Sequence, residues 1–441
     1  MEPYLLTATE CLEKFKDGSL TVEAYARSLL SRIEQRDPVV KAWTYLDPAY
    51  VIEQAKALDQ IPPAKRGPLH GVSIAVKDVM YTKRMPTQHN SPIYKGDSPE
   101  VDAGSVTVLK NAGALLIGKS ATTEFASAKN GPPTCNPHDP TRTPGGSSSG
   151  SGAAVGDFQA AIGLGTQTGG STIRPGSFNG VYSMKLTWNS VTREGHKIYS
   201  LTLDTTGFFA RSVDDLNLLA DVFALADDET SKQEAFNIKG AKFALLRTMA
   251  WPDAGPGTIA AMDTAAEILR QHGAEVESIE LPPEFDNMPE WHRIIMDTEA
   301  RPVFLPEYRI AKEKLQPFIV GHVENSTNIS RAAQLAAFDG IAALRPLIDK
   351  IAGSYAAIIT PSVVDEAPTG QAHTGSPAFN IIWTALHTPV VNVPGFKGEN
   401  GMPIGLSLVA PRFHDRHLLT VCKAVGTIFE AEGGWKRQCH I

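Results

Sequence analysis

Gly169-Gly170-Ser171 closes an apolar segment, Ala160 to Thr168. A strand is therefore expected to run into a turn where two glycines free the backbone and a serine follows at once. Successive N–H groups of Thr168, Gly169, Gly170 and Ser171 can converge there on one negative oxygen, and the missing side chains let a carbonyl come close, which is the chemistry of an oxyanion hole. Upstream, Ser147 to Ser151 place hydroxyls in a turn followed by Ala153 and Ala154, whose helical pattern sets a helix N-terminus near that turn. Eleven of the 37 glycines fall between Gly145 and Gly180. A solvated linker has no use for the Ala153, Val155, Phe158, Ile162 and Leu164 that punctuate them, so this stretch is expected to be buried.

Two other patterns match by letter. Gly113-Ala-Leu-Leu-Ile-Gly118-Lys119-Ser120 satisfies the phosphate-loop pattern, yet such a loop follows a strand and opens a helix, whereas here Ala114 to Ile117 read as the strand itself. Gly146-Ser-Ser148-Ser-Gly150 matches a nucleophile elbow but follows Thr141-Arg-Thr-Pro144 rather than an apolar strand. An α/β hydrolase using Ser148, with His387, His414 or His417 as base, stays open as an alternative. So does a binding protein without catalysis.

The elements that must hold these residues alternate. Residues 7 to 57 read as helices, with Thr7 or Thr9 as the first cap. Val72, Ile74 and Val76 alternate with Ser73, Ala75 and Lys77, a strand with one greasy and one small-residue face, and Lys77 lies on the small one. A helix over Ser105 to Asn111, strands at Lys242 to Arg247 and Glu275 to Ile279 around a helix at Ile259 to His272, mostly helical residues 284 to 350, strands at Ala356 to Ile359, Val390 to Val393 and Pro403 to Val409, and a last helix, His417 to Glu430, complete the pattern. This is an α/β chain, expected as one large domain over residues 1–441, with 230–350 able to form a peripheral lobe. The 441 residues, 42% hydrophobic and 20% charged, fit a globular protein and exclude a disordered or collagen-like one. A net charge of −7 argues against a nucleic-acid-coating or polybasic membrane surface. Four scattered cysteines and the lack of a signal or a membrane-length apolar run point to a cytoplasmic protein.

Taken together, Gly71-Val-Ser-Ile-Ala-Val-Lys77-Asp78, Asn136-Pro137 with Thr143-Pro-Gly-Gly-Ser147-Ser-Ser-Gly, Gly165-Thr-Gln-Thr-Gly-Gly-Ser171 with Arg174-Pro175, Asn179-Gly180-Val181, Lys185-Leu186-Thr187 and Pro403-Ile-Gly-Leu-Ser-Leu resemble the amidase signature family over nearly the whole chain. The 24-residue spacing of Ser147 and Ser171 agrees with it. The resemblance implies a central mixed β-sheet flanked by α-helices on both faces. It implies a Ser-cisSer-Lys triad with Ser171 as nucleophile, Ser147 as the bridging serine on a cis peptide bond and Lys77 as base, and N–H groups of Thr168, Gly169, Gly170 and Ser171 as the oxyanion hole. The chemistry agrees, because a serine hydroxyl needs a base, no histidine lies within these motifs, and burial makes a lysine neutral enough to serve. Asp78, its chain neighbour, points to the other face. Gln167 stands where the family usually has Asp, and Ser171-Thr-Ile-Arg174 carries one residue more than usual, which leaves Arg174 without a role.

The expected reaction is acyl transfer to Ser171, loss of ammonia or an amine, and hydrolysis. The expected substrate is a small-molecule amide, carbamate or ester, with no cofactor, no metal, no nucleic acid, no membrane, and a homodimer as an allowed state. The alternative is a glutaminase like that of a tRNA-dependent amidotransferase, whose A subunit carries the same resemblance. Trp291, Phe304, Tyr308 and Phe318 are candidates to line an apolar pocket.

Overall fold

Thr7 opens helix α1 (Ala8–Asp17) with a reciprocal cap: its hydroxyl accepts the Glu10 N–H while the Glu10 carboxylate accepts the Thr7 N–H, and Gly18 at φ 77° ends the helix. The structure, a computed structural model, describes residues 2–127, 131–228 and 235–439. After α1 come α2 (Val22–Val40), β1 (Trp43–Leu46), α3 (Pro48–Asp59), β2 (Ser73–Lys77), α4 (Gly104–Asn111), β3 (Leu115–Ser120), α5 (Ser149–Gly156), β4 (Ile162–Gln167), α6 (Ile173–Phe178), β5 (Tyr182–Lys185), β6 (Thr205–Ala210) and α7 (Val213–Val222). The second half adds β7 (Lys242–Leu246), α8 (Pro256–Gln271), β8 (Glu275–Ile279), α9 (Met288–Val303), α10 (Leu305–Ala311), α11 (Pro317–Glu324), α12 (Arg331–Ala352), β9 (Ala357–Pro361), α13 (Ile381–Ala385), β10 (Val390–Lys397), β11 (Pro403–Val409) and α14 (Asp415–Glu432).

Among the described residues, eleven strands join one mixed sheet in the order β1-β3-β2-β4-β6-β5-β10-β11-β9-β7-β8. Parallel pairs sit toward both ends (β3/β2/β4 and β9/β7/β8), and the middle is antiparallel. Alternate residues feed two cores, as strand geometry demands. Ile74, Val76, Phe243, Leu245, Ile359 and Leu408 meet α4, α7, α8 and α14, while Ala244, Leu246, Ile358 and Val409 meet α9, α12 and α13. Helices thus cover both faces, which is why every residue of β2 is buried rather than every second one. β1, inside the stretch expected to be helical, is an added edge strand antiparallel to β3.

The small-residue face of β2 has its reason here. Ala75 packs on Ala153 and Ala154 of α5, so the helix lies directly on the strands. A side chain at Gly150 would come within 2.2 Å of the Ala42 carbonyl oxygen, and one at Gly165 within 2.8 Å of Ser148 Oγ. Glycine at these two positions permits the close approach that brings the serine turn over the end of β2. The phosphate-loop pattern is resolved as well: Gly118, Lys119 and Ser120 lie within β3, and Lys119 Nζ donates to the Met80 carbonyl and to Thr87 Oγ1 and stands 3.7 Å from Asp78.

Candidate functional site

Lys77 ends β2 fully buried, and its ammonium nitrogen reaches three hydroxyls: Ser147 Oγ at 2.8 Å, Ser148 Oγ at 3.0 Å and Thr166 Oγ1 at 2.7 Å. Desolvation pulls its pKa down to about 7, against a smaller upward pull from Asp204, so a large neutral fraction is present near pH 7. Asp78 faces Lys119 instead, as alternation along a strand requires. The Gly146–Ser147 peptide bond is cis.

Ser171 follows β4 and opens the turn into α6, and its carbonyl faces the Ser148 N–H at 3.4 Å. Its hydroxyl has no hydrogen-bond partner among the described residues, so the first half of the expected relay, Lys77 to Ser147, is a formed bond and the second half, Ser147 to Ser171, is not. Hydrogen bonds of this kind tighten when a substrate arrives. Ser147, Ser171 and the Thr168–Gly170 turn all line a cavity of about 570 Å³, whose far wall includes Tyr199, Met296 and Phe318.

The turn is held from outside. The Thr168 hydroxyl donates to Asp204 Oδ1 at 2.6 Å, and the Thr168 carbonyl sits 2.8 Å from His292 Nε2. The Gly169 carbonyl accepts from Thr384 Oγ1 at 2.8 Å, and the Gly170 carbonyl from the Arg174 N–H at 3.0 Å. Burial raises the Asp204 carboxyl to about 6 and lowers the His292 imidazole to about 4. Gln167 finds a definite place: its Oε1 accepts the N–H groups of Thr172 and Ile173 at 2.9 and 3.0 Å, and its Nε2 donates to Thr384. A neutral carboxamide thus caps the start of α6 where the resembling family usually has a carboxylate.

Arg174 lines the cavity with no acid in salt-bridge reach among the described residues. Its Nη2 donates to the Gly146 carbonyl at 2.5 Å and to Thr374 at 3.2 Å, while Nε and Nη1, both buried, have no partner. A guanidinium stays charged under such burial, so its unpaired edge is a site of positive potential beside the nucleophile.

Of the aromatic candidates only Phe318 lines the cavity. Phe304 is buried in the cluster with Phe125 and Tyr199, Trp291 packs on the core under α9 and α12, and Tyr308 donates to Glu324 on the exposed side. Ser148 is the residue before α5, bonded to Lys77 and to both backbone groups of Thr166, and so belongs to the lysine's surroundings. His387 and His417 bond the carbonyls of Thr202 and Ala356, away from both serines. Thr166 lies within the glycine motif without a signal of its own, whereas Asp204, His292 and Thr384 carried no motif signal. They reach the turn only through tertiary contacts.

An eleven-stranded α/β fold with a Lys-Ser-Ser cluster at a glycine turn is that of the amidase signature enzymes, which act on C–N bonds. The chain belongs to the amidase family, which it matches over residues 24–419. It is 29% identical over 472 aligned positions to the A subunit of the glutamyl-tRNA(Gln) amidotransferase of Carboxydothermus hydrogenoformans, covering 96% of this chain and 97% of that one. Among solved structures, one described as an amidase is 27% identical with a TM-score of 0.86, covering 97% of this chain and 100% of that one. The corresponding A subunit from Thermotoga maritima is 25% identical with a TM-score of 0.80, covering 96% and 95%.

These relatives correct one expectation. A small-molecule amide or carbamate substrate with no nucleic acid, and at most a second copy as partner, does not stand beside full-length relatives named as subunits of a tRNA amidotransferase. The reason is physical: a net charge of −7 describes the surface of one chain, and in an assembly another polypeptide can carry the basic surface that holds a polyanion. No helix among the described residues is long and apolar enough to cross a membrane.

Proposed function

We propose that this chain hydrolyses a primary carboxamide through an acyl-enzyme on Ser171 and releases ammonia, with glutamine as the foremost acyl donor, in the manner of the A subunit of a tRNA-dependent amidotransferase. One observation carries the chemistry: a fully buried Lys77, about half neutral at pH 7, is bonded to Ser147, which lines the same cavity as Ser171. In this reading neutral Lys77 takes a proton from Ser147 as Ser147 takes one from Ser171, and Ser171 Oγ attacks the carbonyl carbon. The oxyanion meets the N–H groups of Thr168 to Ser171. The lysinium returns its proton through Ser147 to the leaving nitrogen, the C–N bond breaks, and water repeats the sequence on the ester. The positive charge of Arg174 on the cavity wall suits a donor that also carries a carboxylate, as glutamine does.

A second reading, in which the acyl donor is an acid-bearing carboxamide other than glutamine, is favoured by the likeness to the amidase structure over that protein's full length. Ammonia release separates the two. Glutamine and a panel of carboxamides are offered to the chain alone, then with glutamyl-tRNA(Gln) and partner subunits. Ammonia from glutamine, rising with the tRNA assembly, supports the first reading, and ammonia from another carboxamide by the chain alone supports the second. A chain that releases ammonia from nothing, and whose Ser171 takes no serine-directed acylating probe, refutes both.

A further inference from the structure

In a trans peptide unit the C=O and the following N–H point in opposite directions, so whatever holds a carbonyl also aims the next N–H. Three consecutive units of the turn after β4 are held this way, each by a different element. The Gly170 carbonyl is held by the first turn of α6 through the Arg174 N–H, the Gly169 carbonyl by Thr384 of α13, and the Thr168 carbonyl by His292 of α9. The only peptide bond in the described residues that departs from trans is Gly146–Ser147. The N–H groups of Gly169, Gly170 and Ser171 have no partner among the described residues, and these residues line the cavity. The Arg174 clamp is local to the turn, and Thr384, 215 residues from Gly169, is tied back to the turn by Gln167. His292 comes from 124 residues away, on the helix that also presents Arg293, Met296 and Asp297 to the cavity.

We infer that His292 is a positioning residue of the oxyanion hole: by donating from Nε2 to the Thr168 carbonyl it turns the Gly169 N–H toward the substrate oxygen, and it ties that N–H to the substrate-facing helix α9. The inference rests on the reading of Ser171 as nucleophile. A carbonyl only accepts, so Nε2 carries the hydrogen. Burial keeps the ring neutral, which leaves the imidazole a dipole rather than a charge under the turn. Without this donor nothing on the outer side holds the Thr168–Gly169 peptide, and the unit is free to rotate its carbonyl toward the cavity, where it would repel an oxyanion.

The test compares His292→Ala and His292→Gln with the parent chain, because a glutamine amide N–H reaches about where Nε2 lies. The readouts are kcat and KM on the best carboxamide, and binding of a boronic acid analogue of its acyl group, which forms a tetrahedral adduct on Ser171. Binding of the carboxylic acid product serves as the ground-state control. For His292→Ala the expected result is a kcat loss of about 10²-fold with KM and product affinity within about 3-fold, and a loss of boronate affinity matching that in kcat/KM. His292→Gln is expected to recover most of it. Should His292→Ala not fold, His292→Gln and the shorter His292→Asn decide, with Gln active and Asn crippled. An unchanged kcat in His292→Ala, a loss confined to KM, or Gln and Asn alike in activity overturns the inference. A parent chain that binds no boronate and hydrolyses no amide defeats the proposed function instead.

Discussion

Replacing Lys77 by Met separates the cost of a buried amine from its use. In the unfolded chain the amine titrates near 10.5, and in the fold burial brings it to about 7. Because the unfolded state binds the extra proton between these values, this residue makes stability rise with pH through that window, and its penalty is fully present below it. At pH 6, charging Lys77 in the folded state costs about 5 kcal/mol, at 1.36 kcal/mol per unit of pKa. Lys77→Met removes that cost and also removes hydrogen bonds to Ser147, Ser148 and Thr166, at about 1 kcal/mol each. The variant is therefore expected to be about 2 kcal/mol more stable than the parent at pH 6 and about 2 kcal/mol less stable at pH 10, where the lysine is neutral in the fold and, still mostly charged in the unfolded chain, carries a residual cost of only about 1 kcal/mol. Guanidinium unfolding midpoints at the two pH values measure both, and the change of sign is the diagnostic. Amide turnover should fall by at least about 10³-fold at pH 7. A variant less stable than the parent at pH 6 by the same amount as at pH 10 would show that Lys77 is not a desolvated base, and retained turnover would remove it from the mechanism.

Three further substitutions test its surroundings. Ser171→Ala should bind carboxamides with little change while forming no acyl-enzyme by intact mass. Turnover above about 10⁻³ of the parent rate would move the nucleophile elsewhere. Asp204→Asn removes the negative charge that raises the Lys77 pKa, so the acid limb of the kcat/KM profile should move to lower pH; an upward move contradicts the electrostatics. Gln167→Glu keeps an acceptor for the Thr172 and Ile173 N–H groups but turns its other end from donor to acceptor. Thr384 would then have to choose between the new carboxylate and the Gly169 carbonyl, and kcat should drop about 10-fold with the melting temperature within a few degrees. An unchanged kcat would show that Thr384 does not need Gln167 to hold the turn.

What could be read from the residues alone was local. The alternation of Ser73, Ala75 and Lys77 placed Lys77 on the face that α5 covers, and the apolar run into Gly169-Gly170 placed the turn at the end of β4. β5 and β6 are different: Tyr182–Lys185 is too short to show a period, and Thr205–Ala210 lies beyond a stretch with no regular pattern, so these two central strands were invisible, as was the four-residue edge strand β1. The same division holds in the site. Ser147, Ser171 and Lys77 announce themselves by motif, whereas Asp204, His292 and Thr384 are ordinary residues whose meaning comes from sequence separations of 36 to 217. A lone histidine on a helix such as α9 reads as core, and only the Thr168 carbonyl at 2.8 Å says otherwise.

The glycine excess between 145 and 180 carries a second lesson. Gly169 and Gly170 serve the turn itself, but Gly150 and Gly165 serve the distance between a helix and a sheet. Were side chains present at Gly150 and Gly165, they would meet the Ala42 carbonyl and Ser148 at 2.2 and 2.8 Å, so α5 and its serine turn would have to shift off the strands from which Lys77 reaches Ser147. Here a lysine on a strand bonds a serine before a helix with the two elements packed this closely. Under the proposed mechanism, glycine at positions 150 and 165 thus serves the placement of the base.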